Sequence, residues 1–219
     1  MVELKYSLVS VDLHGAKVST QQLRGFLGYT FLDDAEFHHH ALGLIYRYPK
    51  IQYKIIDGKA IIMGFSEYQD KLLQSMKDIR SLILGRQHIN INSIVIERKH
   101  FEIGEKNSSY FFATPWIALN EKNFFIFKQL NKVRRGEELE KILVGNILSA
   151  LKGLSIRITF RLRANINSFY YKPVYVNNNF FIGFRCSFQV NISLPEFMGL
   201  GKSVSKGFGV IRPLHDTKS

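Results

Sequence analysis

The chain has 219 residues, of which 46% are hydrophobic and 22% charged, and it carries 30 lysines and arginines against 18 acidic residues. These fractions are those of a folded globular protein and exclude wholesale disorder. No apolar run reaches the roughly 18 residues of a membrane span, and the N-terminus lacks the features of a secretory signal. The single cysteine, Cys186, cannot form an internal disulfide. We therefore expect a soluble cytoplasmic protein with no membrane partner.

The positive charge is concentrated in the second half of the chain. Residues 107–219 contain 16 lysines and arginines against 6 acidic residues, whereas residues 1–106 contain 14 against 12. A surplus of this size is typical of proteins that bind a polyanion, nucleic acid above all. Charge that serves only solubility is the alternative at this point.

The first half has the element order βαββαβ. The elements are predicted over residues 2–11, 20–32, 43–56, 59–65, 67–84 and 88–101. Ser19 and Gln22 have the spacing of a capping box at the start of the first helix. Asp57-Gly58 between the second and third strands is a hairpin signature. This order is typical of a ferredoxin-like unit.

The second half follows a polar break at residues 103–109 and has a similar order. A strand, a helix, two extended segments and a last strand are predicted over residues 110–119, 137–152, 154–163, 169–192 and 208–214. We therefore predict an α+β fold of tandem ferredoxin-like (RRM-like) βαββαβ units, over residues 1–103 and 110–219. We expect the second helix of the second unit to be missing or replaced by a C-terminal glycine-rich loop.

Two extended segments of the second half carry polar side chains at every second position. The polar positions are Arg157, Thr159, Arg161 and Arg163 in the first segment, and Arg185, Ser187, Gln189 and Asn191 in the second. Because alternate side chains of a strand share one face, three arginines of the first segment point the same way. Guanidinium groups offer paired donors and stay charged, which favours contact with a phosphate backbone over an ordinary solvated face.

A glycine-rich segment near the C-terminus is the most specific pattern in the chain. The segment Gly199-Leu-Gly-Lys-Ser-Val-Ser-Lys-Gly-Phe-Gly209 holds four of the 16 glycines. Such a loop can bring its amides close to phosphate oxygens, and Lys202 and Lys206 add charge. It lacks the ending of a Walker loop and precedes a strand, unlike a Rossmann turn. A flexible pair of β-turns is the alternative.

Three consecutive histidines, His38 to His40, form the second unusual pattern. In an extended segment His38 and His40 point the same way, and imidazoles can act as a base and an acid across one phosphate. The residues that share a face on a continuing strand are Tyr46, Tyr48, Lys50 and Lys54. A polar surface loop is one alternative. A zinc site is another, but the usual ligand spacing and a cysteine cluster are lacking, so we assign no metal site.

The glycine segment resembles that of CRISPR-associated endoribonucleases that process precursor guide RNA, which belong to the RAMP superfamily and serve mainly type I systems. The lead-in Leu194-Pro195 and the ending Ser205-Lys-Gly-Phe-Gly-Val-Ile211 share this resemblance, which is closest to the I-B type. The resemblance implies metal-independent, cofactor-free cleavage within the CRISPR repeat. In the reaction that the resemblance implies, the ribose 2′-OH attacks the adjacent phosphate, and the products carry 2′,3′-cyclic phosphate and 5′-OH ends.

The resemblance also implies roles for the candidate residues. The catalytic candidates are His38, His40, Tyr46 and Lys50. The RNA-binding candidates are the strand arginines and the glycine segment, namely Arg157, Arg161, Arg163, Gly199, Gly201, Lys202, Lys206, Gly207 and Gly209. The expected partner is CRISPR repeat RNA, with a multisubunit interference complex and a homodimer as further assemblies. A non-catalytic RNA-binding subunit of the same superfamily is the main alternative, and a general single-strand binder is a more distant one.

Overall fold

The computed structural model describes residues 1–31, 48–176 and 179–214. The chain forms two compact units. The N-terminal unit comprises Glu3–Phe101 and Ser205–Gly207. The C-terminal unit comprises Met1–Val2, Glu102–Val204 and Phe208–Ser219. No helix among the described residues is long and apolar enough to cross a membrane.

The N-terminal unit has the predicted ferredoxin-like architecture. Its elements are β1 (Val2–Asp12), α1 (Thr20–Thr30), β2 (Ile51–Ile56), β3 (Lys59–Phe65), α2 (Tyr68–Lys77), β4 (Ser81–Leu84), β5 (Gln87–Asn90) and β6 (Ile94–Ile103). The main sheet has the strand order β2-β3-β1-β6, and β4 and β5 form a separate hairpin. Leu23 and Leu27 of α1 and Leu72 of α2 pack with Val9 and Ile62 in the core on one face of the sheet.

Local signals explain the first helix and the first hairpin. The Ser19 hydroxyl accepts a hydrogen bond from the Gln22 amide at 3.2 Å, and the Gln22 side chain accepts one from the Ser19 amide at 2.8 Å. This is the predicted capping box. Asp57 and Gly58 have φ values of 50° and 74°, as a tight turn between antiparallel strands requires. Both predictions are confirmed.

The predicted helix over residues 67–84 is wrong in its second half. The helix ends at Lys77, and residues 81–84 pair with β5 instead. Leu82 and Leu84 are buried in the strand, whereas Ile83, which the helical spacing would place on the apolar side with Ile79, is 55% exposed. Gly85, with a φ of 67°, turns the chain between the two strands. The apolar residues of this segment fit both a helical and a strand periodicity, so only the turn at Gly85 distinguishes a hairpin from a longer helix.

The C-terminal unit is a second ferredoxin-like unit. Its elements are β7 (Ser108–Phe112), α3 (Glu121–Gln129), α4 (Lys132–Gly153), β8 (Ala164–Val176), β9 (Asn179–Val190) and β10 (Ile211–Pro213). The sheet has the order β10-β7-β9-β8. Phe112 stacks on Trp116 with ring centroids 5.0 Å apart, and Phe184 and Phe188 are fully buried beside them. The glycine segment replaces the second helix, as predicted.

Several predictions for this unit need correction. The strand predicted over residues 110–119 ends at Phe112, and residues 116 and 117 then make only isolated bridges. The aromatic segment after it forms α3, which the sequence patterns did not predict. Residues 154–163, predicted to be extended, are not part of a strand, and the single segment predicted over residues 169–192 is wrong, because β8 and β9 form an antiparallel hairpin there. Whether residues 113–119 and 154–163 pair as strands depends on partners that are distant in the sequence.

Candidate nucleic-acid interface

Only one of the four catalytic candidates falls within the described residues. His38, His40 and Tyr46 lie outside them. Lys50 donates a hydrogen bond from its ammonium group to the Glu67 carboxylate, and its nitrogen lies 5.8 Å from the centroid of the Tyr68 ring. That hydrogen bond lowers the pKa of Glu67. Lys50 is therefore ion-paired, with its side chain 29% exposed.

A second lysine, Lys54, lies on β2 and is fully buried. Its ammonium donates to the Gln52 side-chain oxygen at 3.1 Å, and the Gln52 amide donates to the Pro49 carbonyl at 3.2 Å. Burial lowers the pKa of Lys54 and raises that of Tyr48, which also hydrogen-bonds Gln52. Lys54 has no carboxylate partner within residues 1–31, 48–176 and 179–214. Sequence patterns had indicated only that Lys54 shares a face with Lys50.

The predicted arginine face exists without the predicted strand. Arg157, Arg161 and Arg163 are exposed, whereas Ile156 and Leu162 are buried. The alternation of exposure is therefore as predicted, although the segment belongs to no sheet.

Asn191 holds this arginine segment in place. Its side-chain oxygen accepts a hydrogen bond from the Arg163 amide at 2.7 Å, and its side-chain nitrogen donates to the Arg161 carbonyl at 3.0 Å. The Asn191 amide in turn donates to the Arg163 carbonyl at 3.3 Å. One residue thus fixes the backbone between two exposed arginines. A motif search could not have found this role, because the bonded residues are 28 and 30 positions apart.

The glycine segment is packed against residues 115–117. The Gly209 amide donates to the Pro115 carbonyl at 2.9 Å, and the Lys202 amide donates to the Ile117 carbonyl at 3.1 Å. Gly199, Gly207 and Gly209 are buried, whereas Gly201 and both lysines of the segment are half-buried. The amides of Lys202 and Gly209 are therefore committed to internal hydrogen bonds.

Two glycines of the segment occupy conformations and spaces that exclude a side chain. Gly209 has a φ of 66°, and a Cβ there would lie 1.9 Å from the Leu200 carbonyl oxygen. Gly201 has a φ of 89°, and its Cβ would lie 2.7 Å from the Trp116 ring. Both glycines are needed to fold the segment, whatever it binds.

Residues 205–207 bring a lysine to α1 within the N-terminal unit. Burial lowers the pKa of Lys206, and the positive charge of Arg24 lowers it further. Two cations held close together create a positive potential that attracts phosphate. No group of three or more described histidine, cysteine or acidic side chains has an arrangement that could hold a metal ion.

Comparison with known proteins finds relatives over both halves of the chain. Residues 2–102 match the family model of the Cas6b N-terminal domain, and residues 102–214 match that of the Cas6b C-terminal domain. An uncharacterized protein of Methanocaldococcus jannaschii is 42% identical over 116 residues, which are 53% of this chain and 79% of that protein.

Two crystal structures agree over almost the full length. A structure of Cas6b is 31% identical with a TM-score of 0.88, and the match covers 97% of this chain and 100% of that one. A structure of the CRISPR RNA processing endoribonuclease Cas6b is 29% identical with a TM-score of 0.76, at the same coverage. Together with the two family models, these matches show that the chain belongs to the Cas6b family.

Proposed function

We propose that this chain cuts precursor CRISPR RNA within the repeat, without a metal ion, and so produces guide RNAs. The ribose 2′-OH attacks the adjacent phosphate, and the products carry 2′,3′-cyclic phosphate and 5′-OH ends. The observation that supports this most is the match of both halves to the Cas6b domain models, since a solved Cas6b of 29% identity is a CRISPR RNA processing endoribonuclease.

The reaction needs a base for the 2′-OH, an acid for the 5′-oxygen and a cation for the charge of the phosphorane. We assign the first two roles to the pair His38 and His40, because imidazole both accepts and donates protons near neutral pH. Tyr46 orients the reacting groups. Each of these assignments rests on the sequence pattern and the family.

Lys50 supplies the positive charge in this proposal. Its present partner, Glu67, is more than half exposed. Exposed ion pairs of this kind contribute only about 0–1 kcal/mol. Replacing the Glu67 carboxylate by an RNA phosphate as the partner of Lys50 therefore costs little free energy, because the negatively charged phosphate also attracts the ammonium group.

The arginine segment and the glycine segment hold the RNA in this proposal. Arg157, Arg161 and Arg163 are exposed and carry charge at any working pH. In the glycine segment, Gly201, Lys202 and Lys206 are half-buried and reach the surface. Gly207 and Gly209, which are buried and have positive φ angles, keep the segment in the conformation that presents these groups, and buried Gly199 forms a β-bridge with Val210.

Two further assemblies belong to the proposal. The guide RNA passes to a multisubunit CRISPR interference complex. Co-purification of a tagged chain with its RNA would test whether the complex accompanies them. Self-association as a homodimer predicts a sedimentation coefficient that rises with protein concentration.

The histidine mechanism is tested with single variants. His38→Ala and His40→Ala should keep the affinity for repeat RNA and abolish cutting, whereas His14→Ala, an exposed histidine after β1, should cut like the wild type. An unchanged rate in the triple alanine variant of residues 38–40 would overturn the mechanism. Binding by the wild type without any cutting would favour a non-catalytic subunit.

A further inference from the structure

A polar groove of about 430 Å³ lies on the C-terminal unit where β7, β8 and β9 run side by side. Its volume is within the range of about 300–1,000 Å³ that is usual for small-ligand sites. Amides, two hydroxyls and one guanidinium group dominate the lining, which includes Asn107, Ser109, Arg163, Asn165, Gln189 and Asn191. We call it the amide groove.

The sheet register brings the central side chains together. Gln189 of β9 pairs with Ser109 of β7 on one side and with Asn165 of β8 on the other. Directly opposed residues share a face, with their Cβ atoms about 5 Å apart. Phe188 and Val190 point into the core. Gln189 and its two partners therefore face outward in one row.

The amides of this row have unused hydrogen-bonding capacity. Asn165 and Gln189 are exposed, and neither side chain has a hydrogen-bond partner among the described residues. The same holds for Asn107 across the groove. Each primary amide offers two donors and an acceptor in one plane. This is the arrangement that pairs with the edge of a nucleobase, and Asn and Gln match adenine in particular.

Hydrogen bonds of Asn191 fix the backbone at the rim of the groove. Asn191 fixes the backbone at Arg161 and Arg163 through the hydrogen bonds described above, and its side-chain nitrogen also lies 3.2 Å from the Glu105 carboxylate. The exposed guanidinium group of Arg163 lies at the edge of the amide row. Groups that can contact a base and a group that can contact a phosphate thus line the same groove.

We propose that the amide groove binds one unpaired adenine nucleotide of the RNA. Gln189 and Asn165 hydrogen-bond the edge of the base, and Arg163 contacts a neighbouring phosphate. The nucleotide is unpaired because RNA-binding proteins read sequence mainly on unstacked bases of loops and single strands. This inference deepens the proposed function and rests on it for the identity of the RNA, but the contact itself needs no cleavage.

The test measures the affinity for short fluorescent single-stranded oligomers of adenylate, uridylate and cytidylate by anisotropy. The wild type should bind the adenylate oligomer most tightly. Gln189→Met and Asn165→Leu keep the approximate size of each side chain but remove its hydrogen bonds. Each should weaken adenylate binding roughly tenfold, the effect of a bidentate base contact, and leave the other two oligomers nearly unchanged. Gln129→Met, an exposed amide on α3, is the matched control and should change nothing.

Equal affinity of the wild type for all three oligomers would overturn the inference. So would an equal loss for all three in the groove variants, because that would indicate a phosphate or packing effect. Circular dichroism of each variant verifies that the fold is kept. The outcome is independent of the proposed activity. A protein that prefers adenylate but cuts no RNA refutes the endoribonuclease, and one that cuts repeat RNA without base preference refutes the groove.

Discussion

Gly209→Ala should destabilise the C-terminal unit strongly. An L-residue at a φ of 66° costs roughly 1–2 kcal/mol. The new Cβ would also lie 1.9 Å from the Leu200 carbonyl oxygen, a backbone atom that cannot rotate away. Relieving this clash weakens the hydrogen bonds from Leu200 N to Gly209 O and from Gly209 N to Pro115 O, each of about 1 kcal/mol. We expect a total loss of about 3 kcal/mol.

Gly145→Ala is the matched control for this substitution. Gly145 lies in α4, and a Cβ there would meet nothing within 4 Å. Alanine should stabilise the helix by about 1 kcal/mol. Urea unfolding followed by the fluorescence of Trp116, the single tryptophan, reports on the C-terminal unit. The free energy of unfolding falls by about 2 kcal/mol per molar urea, so a loss of about 3 kcal/mol should lower the urea midpoint of Gly209→Ala by about 1.5 M. A midpoint equal to that of the wild type would refute the packing described for the glycine segment.

Three further substitutions test other parts of the structure. Ser19→Ala removes the capping box of α1 and should cost about 1 kcal/mol in thermal unfolding; no change would mean that the cap contributes nothing. Burial lowers the pKa of Lys54, so the unfolded chain binds an extra proton between that pKa and about 10.4. Stability should therefore rise with pH in this window by up to about 1.4 kcal/mol per pH unit, and Lys54→Met should abolish the rise in a pH series of urea midpoints. Parallel curves for both proteins would contradict this. Arg161→Ala should weaken RNA binding and reduce the slope of log affinity against log salt by about 0.7, measured by anisotropy. An unchanged slope would exclude a phosphate contact.

The elements with short-range signals could be predicted from the sequence. The capping box at Ser19 and the Asp57-Gly58 turn each involve residues at most three positions apart, so local physics decides them. The β4–β5 hairpin could not be distinguished from a helical continuation, because residues 82–84 are all apolar. Ile83 continues the helical spacing from Ile79, whereas Leu82 and Leu84 share one face of a strand and are the residues that are buried.

The candidate site likewise combines features that the sequence predicts with features that depend on tertiary contacts. The alternation that exposes Arg161 and Arg163 follows from a period of two, and it is present even though the segment pairs with no strand. The role of Asn191 in fixing that segment depends on a tertiary contact and has no sequence signature. The burial of Lys54 likewise follows from how the chain packs around β2, which local composition does not encode.

The central claim is tested most directly by incubating the purified protein with repeat-containing RNA in EDTA and analysing the ends of the products. We predict a single cut within the repeat that leaves 2′,3′-cyclic phosphate and 5′-OH ends, and no cut when the ribose at that site is 2′-deoxy. Cleavage that requires an added divalent metal, or that proceeds on the 2′-deoxy substrate, would contradict the mechanism.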